Sequence, residues 1–419
     1  MAIEPSARYK HNGPMSFATA LWAPEKRQDW LVISLVGVGH AGSHFSHLLL
    51  PLMFPIFTDV FNLGYAQLGL CVTTFFVVSG VGQAMSGFLV DRIGAVRVLL
   101  SSLLCLALGC LVASQANGLV GLLAAAFLLG LGNCSFHPVD FSILNQKVSN
   151  HRIGYAYSAH GLCGNLGWAV APVFMLSIAQ TFSWRWSYLA ASLVFALVFL
   201  LLWTHRGELV TPKAAQQESG GGAHFDFLKH PTVWWCFAFF VFSTMTLSVV
   251  QSFGVSIMQR MHDASLWAAN ASLTGYMVCA AIGMLLGGIV STRYAQQSDR
   301  VVASCMLMGA LLIALCASGW LGAVGSMVAL ASTGLAIGIG GPSRDLLIRG
   351  ATPKGSTGRV YGMVYSGLDV GFAVAPITFG LLMDRGQYAL TLLLAACTLV
   401  ISIAFALAVG HLSRKSVKP

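Results

Sequence analysis

The chain has 419 residues, of which 56% are hydrophobic and only 9% charged, against roughly a quarter charged in soluble domains. So few charges cannot cover the surface of a water-soluble enzyme of this length, and that class is excluded. A formal net charge of +9 invites a nucleic-acid reading, but 20 of the 23 Lys and Arg fall on one side of a predicted membrane, which removes it.

The first thirty residues are polar, with Pro14, Pro24 and a charged EKRQD stretch. They lack the basic, apolar and small-residue succession of a cleaved signal peptide and read as a cytoplasmic tail over 1-30. A helix needs about 20 apolar residues to cross the hydrocarbon core, and runs of that length then recur. They are predicted at 31-57, 67-90, 96-115, 119-144, 155-179 and 185-204. After a linker at 205-230 containing QQESGGGAH, six more follow at 231-257, 268-291, 300-320, 325-348, 360-383 and 388-410, with a tail from 411 to 419. The twelve spans thus divide into bundles at 31-204 and 231-410. With both termini on one side, the opposite loops hold only Arg185, Arg260 and Arg385, so the excess of positive charge places both termini in the cytoplasm. Ten cysteines, none in a CxxC pair, lie in or beside apolar runs and read as small hydrophobes.

The two bundles repeat one another. NLGWAVAP at 165-172 returns as DVGFAVAP at 369-376, and at the same offset Pro138 meets Pro342 and Gly154 meets Gly358. With a slightly shorter offset, Gly87 to Arg92 returns as Gly288 to Arg293. Such internal symmetry is the mark of a duplicated transporter bundle.

At Gly87-Phe-Leu-Val-Asp91-Arg92-Ile-Gly94-Ala-Val-Arg97 the sequence resembles the loop 2-3 signature of the major facilitator superfamily, Gly-x-x-x-Asp-Arg-x-Gly-x-x-Arg/Lys. The resemblance implies an all-α polytopic membrane protein with twelve transmembrane helices in two pseudo-symmetric six-helix bundles, rocking about a central cavity. It also implies that Gly87, Asp91, Arg92, Gly94 and Arg97 help to lock the cytoplasmic side. The second copy has Thr292 where the first has Asp91, so only the first is expected to make that lock. A looser resemblance, through the histidine in span 1 and Phe136-His137-Pro138 in span 4, is to bacterial drug or fosmidomycin-resistance-like exporters. Gly167-x-x-x-Ala171-Pro172 looks like a degraded span 5 exporter motif, yet span 4 lacks the arginine usual in drug-proton antiporters.

Ionisable groups at membrane depth are costly and mark pathways. His40, His44 and His47 stand at i, i+4, i+7 in span 1, one stripe of a helix. Three residues on one straight helix do not readily converge on one ion, so no metal site is expected. A proton or substrate contact and plain helix packing both remain open, with His47 nearest mid-depth. Asn133, His137 and Asp140 share a face of span 4, and the repeat sets Arg344 opposite Asp140, which suggests a gating pair across the halves. The alternative pairs Asp345 with Arg349 within span 10. Asp369 is the one acidic residue near mid-depth and the leading candidate for exchanging a proton in each cycle, unless Ser366 or Tyr365 holds it; His160 is a further candidate. Gln251 is the repeat equivalent of His47 in an unusually polar span 7, so both are expected to face the cavity. The Gly-rich run before Pro342 reads as close helix packing or a hinge.

The sequence therefore predicts a monomeric inner-membrane secondary transporter without cofactor or enzymatic activity. It moves a small organic solute, anionic or polar in preference to a lipophilic cation, by alternating access coupled to protons. A drug or siderophore exporter working by proton antiport, a uniporter and a non-transporting membrane sensor stay open as alternatives.

Overall fold

The computed structural model describes residues 24–211, 229–351 and 357–416. Most of the expected N-terminal tail and linker, and the last residues of the C-terminal tail, lie outside them. The described chain is helical throughout its twelve apolar stretches, each long and apolar enough to cross a membrane. In the hydrocarbon core only internal hydrogen bonding satisfies the backbone, and a helix does this within one segment.

In the first half, α1 (Pro24–Leu48), a 3-10 turn at Pro51–Met53 and α2 (Phe54–Phe61) make span 1. Next come α3 (Tyr65–Ile93) and α4 (Ala95–Ser114). Span 4 consists of α5 (Leu119–Asn133) and α6 (Phe136–Lys147), and α7 (Ile153–Thr181) and α8 (Trp184–Thr204) complete the half. A single turn, α9 (Arg206–Leu209), follows. The second half holds α10 (Pro231–His262), α11 (Leu266–Arg293), α12 (Ser298–Ala317), α13 (Gly322–Ala351), α14 (Thr357–Asp384) and α15 (Tyr388–Ser416).

Two breaks depart from the uniform spans the sequence predicts. Span 1 bends where Pro51 and Pro55 each remove a backbone donor, and span 4 is interrupted at Cys134 and Ser135, just before Pro138. The helix also begins earlier than expected, at Pro24, so the end of the predicted tail is structured. Between α3 and α4, Gly94 turns the chain with φ of 90°, a conformation that favours glycine.

Small residues let the helices touch backbone to backbone. A Cβ added at Gly334 would stand 2.1 Å from Tyr276 O, and one at Gly338 would stand 2.2 Å from Ala280 O. From the other helix, a Cβ added at Gly283 would stand 2.4 Å from Leu335 O, and one at Gly287 2.4 Å from Ile339 O. The two small-xxx-small pairs thus interlock α11 with α13, and the Gly-rich run packs rather than binds phosphate. Gly338→Val is expected to leave no correctly folded protein, because the clash is with backbone that cannot rotate away. Size-exclusion of the detergent extract checks it.

The duplication is visible in the same contacts. An added Cβ would stand 2.4 Å from Phe75 O at Gly130 of α5, as one at Gly334 would meet Tyr276 O, and 2.2 Å from Ala41 O at Gly167, as one at Gly371 would stand 2.6 Å from Val241 O. At the terminal end each half is tied by an Arg-carboxylate contact, Arg152 to Asp29 and Arg414 to Asp299.

Candidate functional site

Among the described residues, the side-chain hydrogen bonds and ion pairs between the halves run from the end opposite the termini to mid-depth. Asp384, at the close of α14, accepts hydrogen bonds from the Tyr65 and Ala66 backbone amides that open α3, the latter at 3.0 Å. A carboxylate there meets unsatisfied amides and the positive end of the helix. Arg260 stands 4.0 Å from Asp59, an exposed pair that contributes little. One level deeper, Gly69 lets α3 approach Pro376 of α14, where an added Cβ would lie 2.3 Å from the carbonyl oxygen. Thr73 donates to Ala373 O, and Phe76 stacks on Phe372 with centroids 4.3 Å apart. Replacing Asp384 with Asn should weaken this closure about five-fold, on the order of 1 kcal/mol for an exposed helix-end charge. Spin-label distances across that end read the change.

Asp369 comes next along the same seam. Gly80 leaves room for it: a Cβ added there would stand 3.2 Å from the Asp369 Cβ. Neither expected partner holds it, for Ser366 Oγ donates to Met363 O and Tyr365 hydroxyl donates to Asp345. The Asp369 carboxylate accepts no hydrogen bond from the described side chains and sits half-buried where the halves meet.

The richest polar cluster belongs wholly to the first half. His40 and His44 of α1, His137 and Asp140 of α6, and His160 of α7 converge, although the sequence shows them on three separate helices. His40 Nδ1 and His160 Nε2 each lie 3.1 Å from Asp140 Oδ2, with the two rings stacked at 3.5 Å. The approach to His40 is off the hydrogen-bond line, so its Nδ1 and the second carboxylate oxygen of Asp140 stay without a hydrogen bond though buried. Gly164 makes room on α7, its missing Cβ lying 2.8 Å from His44 Nδ1 and 3.1 Å from His40 Nε2.

His47 is differently placed. Trp168 Nε1 donates to its Nδ1 at 3.3 Å, which fixes the proton on Nε2, and that nitrogen donates to Asn133 Oδ1 at 3.2 Å. Ser43 also donates to Asn133, whose amide donates to Ser79. Both nitrogens of His47 are therefore occupied in an ordered chain through four helices. Asn133→Ala is expected to free the ring and cost about 1–3 kcal/mol, the penalty of a buried group left unpaired. Thermal unfolding in detergent checks it.

The expected pair between Asp140 and Arg344 does not form here. Asp140 is fully buried and flanked by histidines of its own half. Arg344 Nε donates to Asp345 at 2.9 Å, and its guanidinium lies over the Phe240 ring. Pseudo-symmetric position does not bring the two together when each has a nearer partner. Gly87 and the side chains of Asp91 and Arg349 lie outside the described residues; Arg92 is exposed, and so is Arg97. Gln251 is buried with its amide nitrogen unpaired, as is the hydroxyl of Ser248, whereas Thr246 turns away to bond Ala395 O and Thr398 of α15.

A family model described as Major Facilitator Superfamily matches residues 36–296 and 245–419. With twelve spans in two matched bundles, the chain belongs to that superfamily. It is 25% identical over 272 residues to an uncharacterized MFS-type transporter, YfnC, of Bacillus subtilis, covering 64% of this chain and 66% of that one. To the fosmidomycin resistance protein of Escherichia coli it is 25% identical over 195 residues, 45% of this chain and 48% of the relative. The chain thus spans just under two thirds of one relative and about half of the other. Among solved structures, a bacterial homolog to the human lysosomal transporter Spinster, in an inward-facing and unoccupied conformation, superposes with a TM-score of 0.74 at 16% identity. The superposition covers 94% of this chain and 99% of that one, which is a likeness of fold.

Proposed function

We propose that the chain is a secondary transporter of the bacterial inner membrane that carries a small anionic or polar organic solute by alternating access, with proton movement coupled through Asp369. The observation carrying this reading is the placement of that carboxylate: it lies on the α3–α14 seam, against Gly80, with no hydrogen bond from the described side chains. A lone carboxylate on a surface that must part and close can take up and release a proton as its surroundings change between dry and wet. Its repeat partner, Asn165, cannot do so.

Both termini are taken as cytoplasmic, from the positive-charge asymmetry. The contacts between the halves at the opposite end then close the outside. The solute pathway is assigned to His44, His47, His137, His160, Gln251 and Arg344. An inventory of imidazoles, an amide and a guanidinium favours an anion or a hydrogen-bonding solute over a lipophilic cation. In the gate, Gly87, Asp91, Arg92, Gly94 and Arg97 act at the cytoplasmic turn, and Asp140 and Arg344 can approach only when that end closes. The similarity to a fosmidomycin resistance protein keeps export by proton antiport as the second reading of direction.

The test is uptake of a labelled panel of organic anions, zwitterions and lipophilic cations into proteoliposomes of the purified protein. Saturable uptake of an anion or polar solute, with the cations excluded, is expected. Transport confined to lipophilic cations overturns the substrate class.

A further inference from the structure

The polar cluster of the first half gathers more nitrogen donors than a solute contact requires. Two triads lie within it, His40 with His44 and His137, and His40 with Asp140 and His160, each with ligand atoms no more than 4.8 Å apart. Ring geometry separates them. His40 and His160 are stacked face to face at 3.5 Å with an interplanar angle of 25°, so their in-plane lone pairs cannot both point at one ion. The rings of His40, His44 and His137 are splayed instead. Their centroids are 4.6, 5.2 and 6.3 Å apart and their planes are inclined by 52°, 75° and 58°. Three imidazoles bound at about 2.0–2.1 Å on a tetrahedral ion place their ring centroids roughly 5 Å apart.

We propose that His40, His44 and His137 bind a divalent first-row transition cation of the zinc type. Neutral imidazole is the ligand such cations prefer, and a three-histidine set leaves a fourth position open. Two further observations point to an ion at this place. His44 Nδ1 is buried without any hydrogen-bond partner. Gly164 brings the two ring nitrogens together: a Cβ added at position 164 would stand 2.8 Å from His44 Nδ1 and 3.1 Å from His40 Nε2, so both rings close on the α7 backbone at one point.

The second triad becomes the support of the first. Asp140 Oδ2 stands 3.1 Å from His40 Nδ1 but off its hydrogen-bond line, and a turn of the ring that closes this bond would leave Nε2 for the metal, the carboxylate-histidine-metal arrangement that orients a ligand ring. His160 Nε2, 3.1 Å from the same oxygen, holds Asp140 in turn. His44 and His137 retain some exposure, which gives the ion a way in. The inference goes beyond the proposed function: the site shares His44 and His137 with the assigned pathway, but the ion needs no gradient or solute to bind, so the two readings stand or fall separately.

The experiment is isothermal titration of the tag-free full chain in detergent with Zn2+ alone, followed by X-ray absorption of the loaded protein. One ion per chain is expected, with about three imidazole nitrogens in the first shell at about 2.0 Å. His44→Gln and His137→Gln should each weaken binding at least 100-fold. Asp140→Asn, acting through His40, should weaken it about 10- to 100-fold. His411→Ala, at an exposed site on α15, should leave it unchanged. No stoichiometric binding, a shell dominated by oxygen or sulfur, or equal loss in the His411 variant overturns the site. Absorption on the wild-type protein decides even where a variant fails to fold. Because solute uptake is measured separately, failure here leaves the transport reading standing.

Discussion

Asp369→Asn should still exchange solute for solute across the membrane but lose accumulation driven by a pH gradient. The amide keeps the size and position of the carboxyl, so the α3–α14 seam beside Gly80 can still close. It cannot give up a proton, and the exchange that links the two gradients is lost. Each proton moved down one pH unit supplies 1.36 kcal/mol, about a ten-fold concentration ratio. The wild-type protein should therefore build about that ratio per coupled proton, and the variant none. Counterflow and gradient-driven uptake, compared in the same proteoliposomes, separate the two activities; loss of both, or retention of both, removes Asp369 from the coupling step.

Gly69→Val should hold the end opposite the termini open and stop transport. The valine Cβ would be placed 2.3 Å from Pro376 O and 2.6 Å from Pro376 C, backbone atoms of α14 that no rotamer change can move. Forcing extra carbon into a packed contact costs about 1–3 kcal/mol where side chains can yield, and a backbone contact yields less. The closed arrangement around Thr73, Phe76 and Asp384 then loses its population by more than ten-fold, since each 1.4 kcal/mol is a factor of ten. Spin labels at Val60 and Gln387, one on each half at that end, should show a longer mean distance than in the wild-type background. Solute uptake should fall with it, while counts of folded protein stay level because the helices within each half are untouched.

The spans were legible because length and apolar content alone decide whether a helix can cross a bilayer, and both are properties of the sequence read locally. The duplication was legible for a related reason: Gly130 and Gly334, or Gly167 and Gly371, keep their places because each meets backbone of a neighbouring helix at the same level. The break in span 4 before Pro138 was half visible, since the proline announces a freed carbonyl but not the loss of regular helix at Cys134 and Ser135.

The site was harder to read because convergence between helices is not written in periodicity. The stripe of His40, His44 and His47 suggested one common role, and mid-depth favoured His47. In the fold His47 is occupied by Trp168 and Asn133, while His40 and His44 turn toward α6 and α7. The glycine at 164, which admits both rings, carries no signal of its own in a chain with 45 glycines. Pseudo-symmetry set Arg344 opposite Asp140, but it relates equivalent positions without saying that they touch in this conformation, where each has a nearer partner. Asp384 was missed since it falls at a span end, where a carboxylate reads as solvated; its signal is the start of α3 lying beside it, a fact of packing.

Proton coupling through Asp369 is measured most directly as the pH inside dye-loaded proteoliposomes when solute is added with no gradient imposed. A solute-dependent pH change is expected in wild-type vesicles and none with Asp369→Asn, its sign separating symport from antiport. Solute crossing in wild-type vesicles with no change in pH would contradict that coupling.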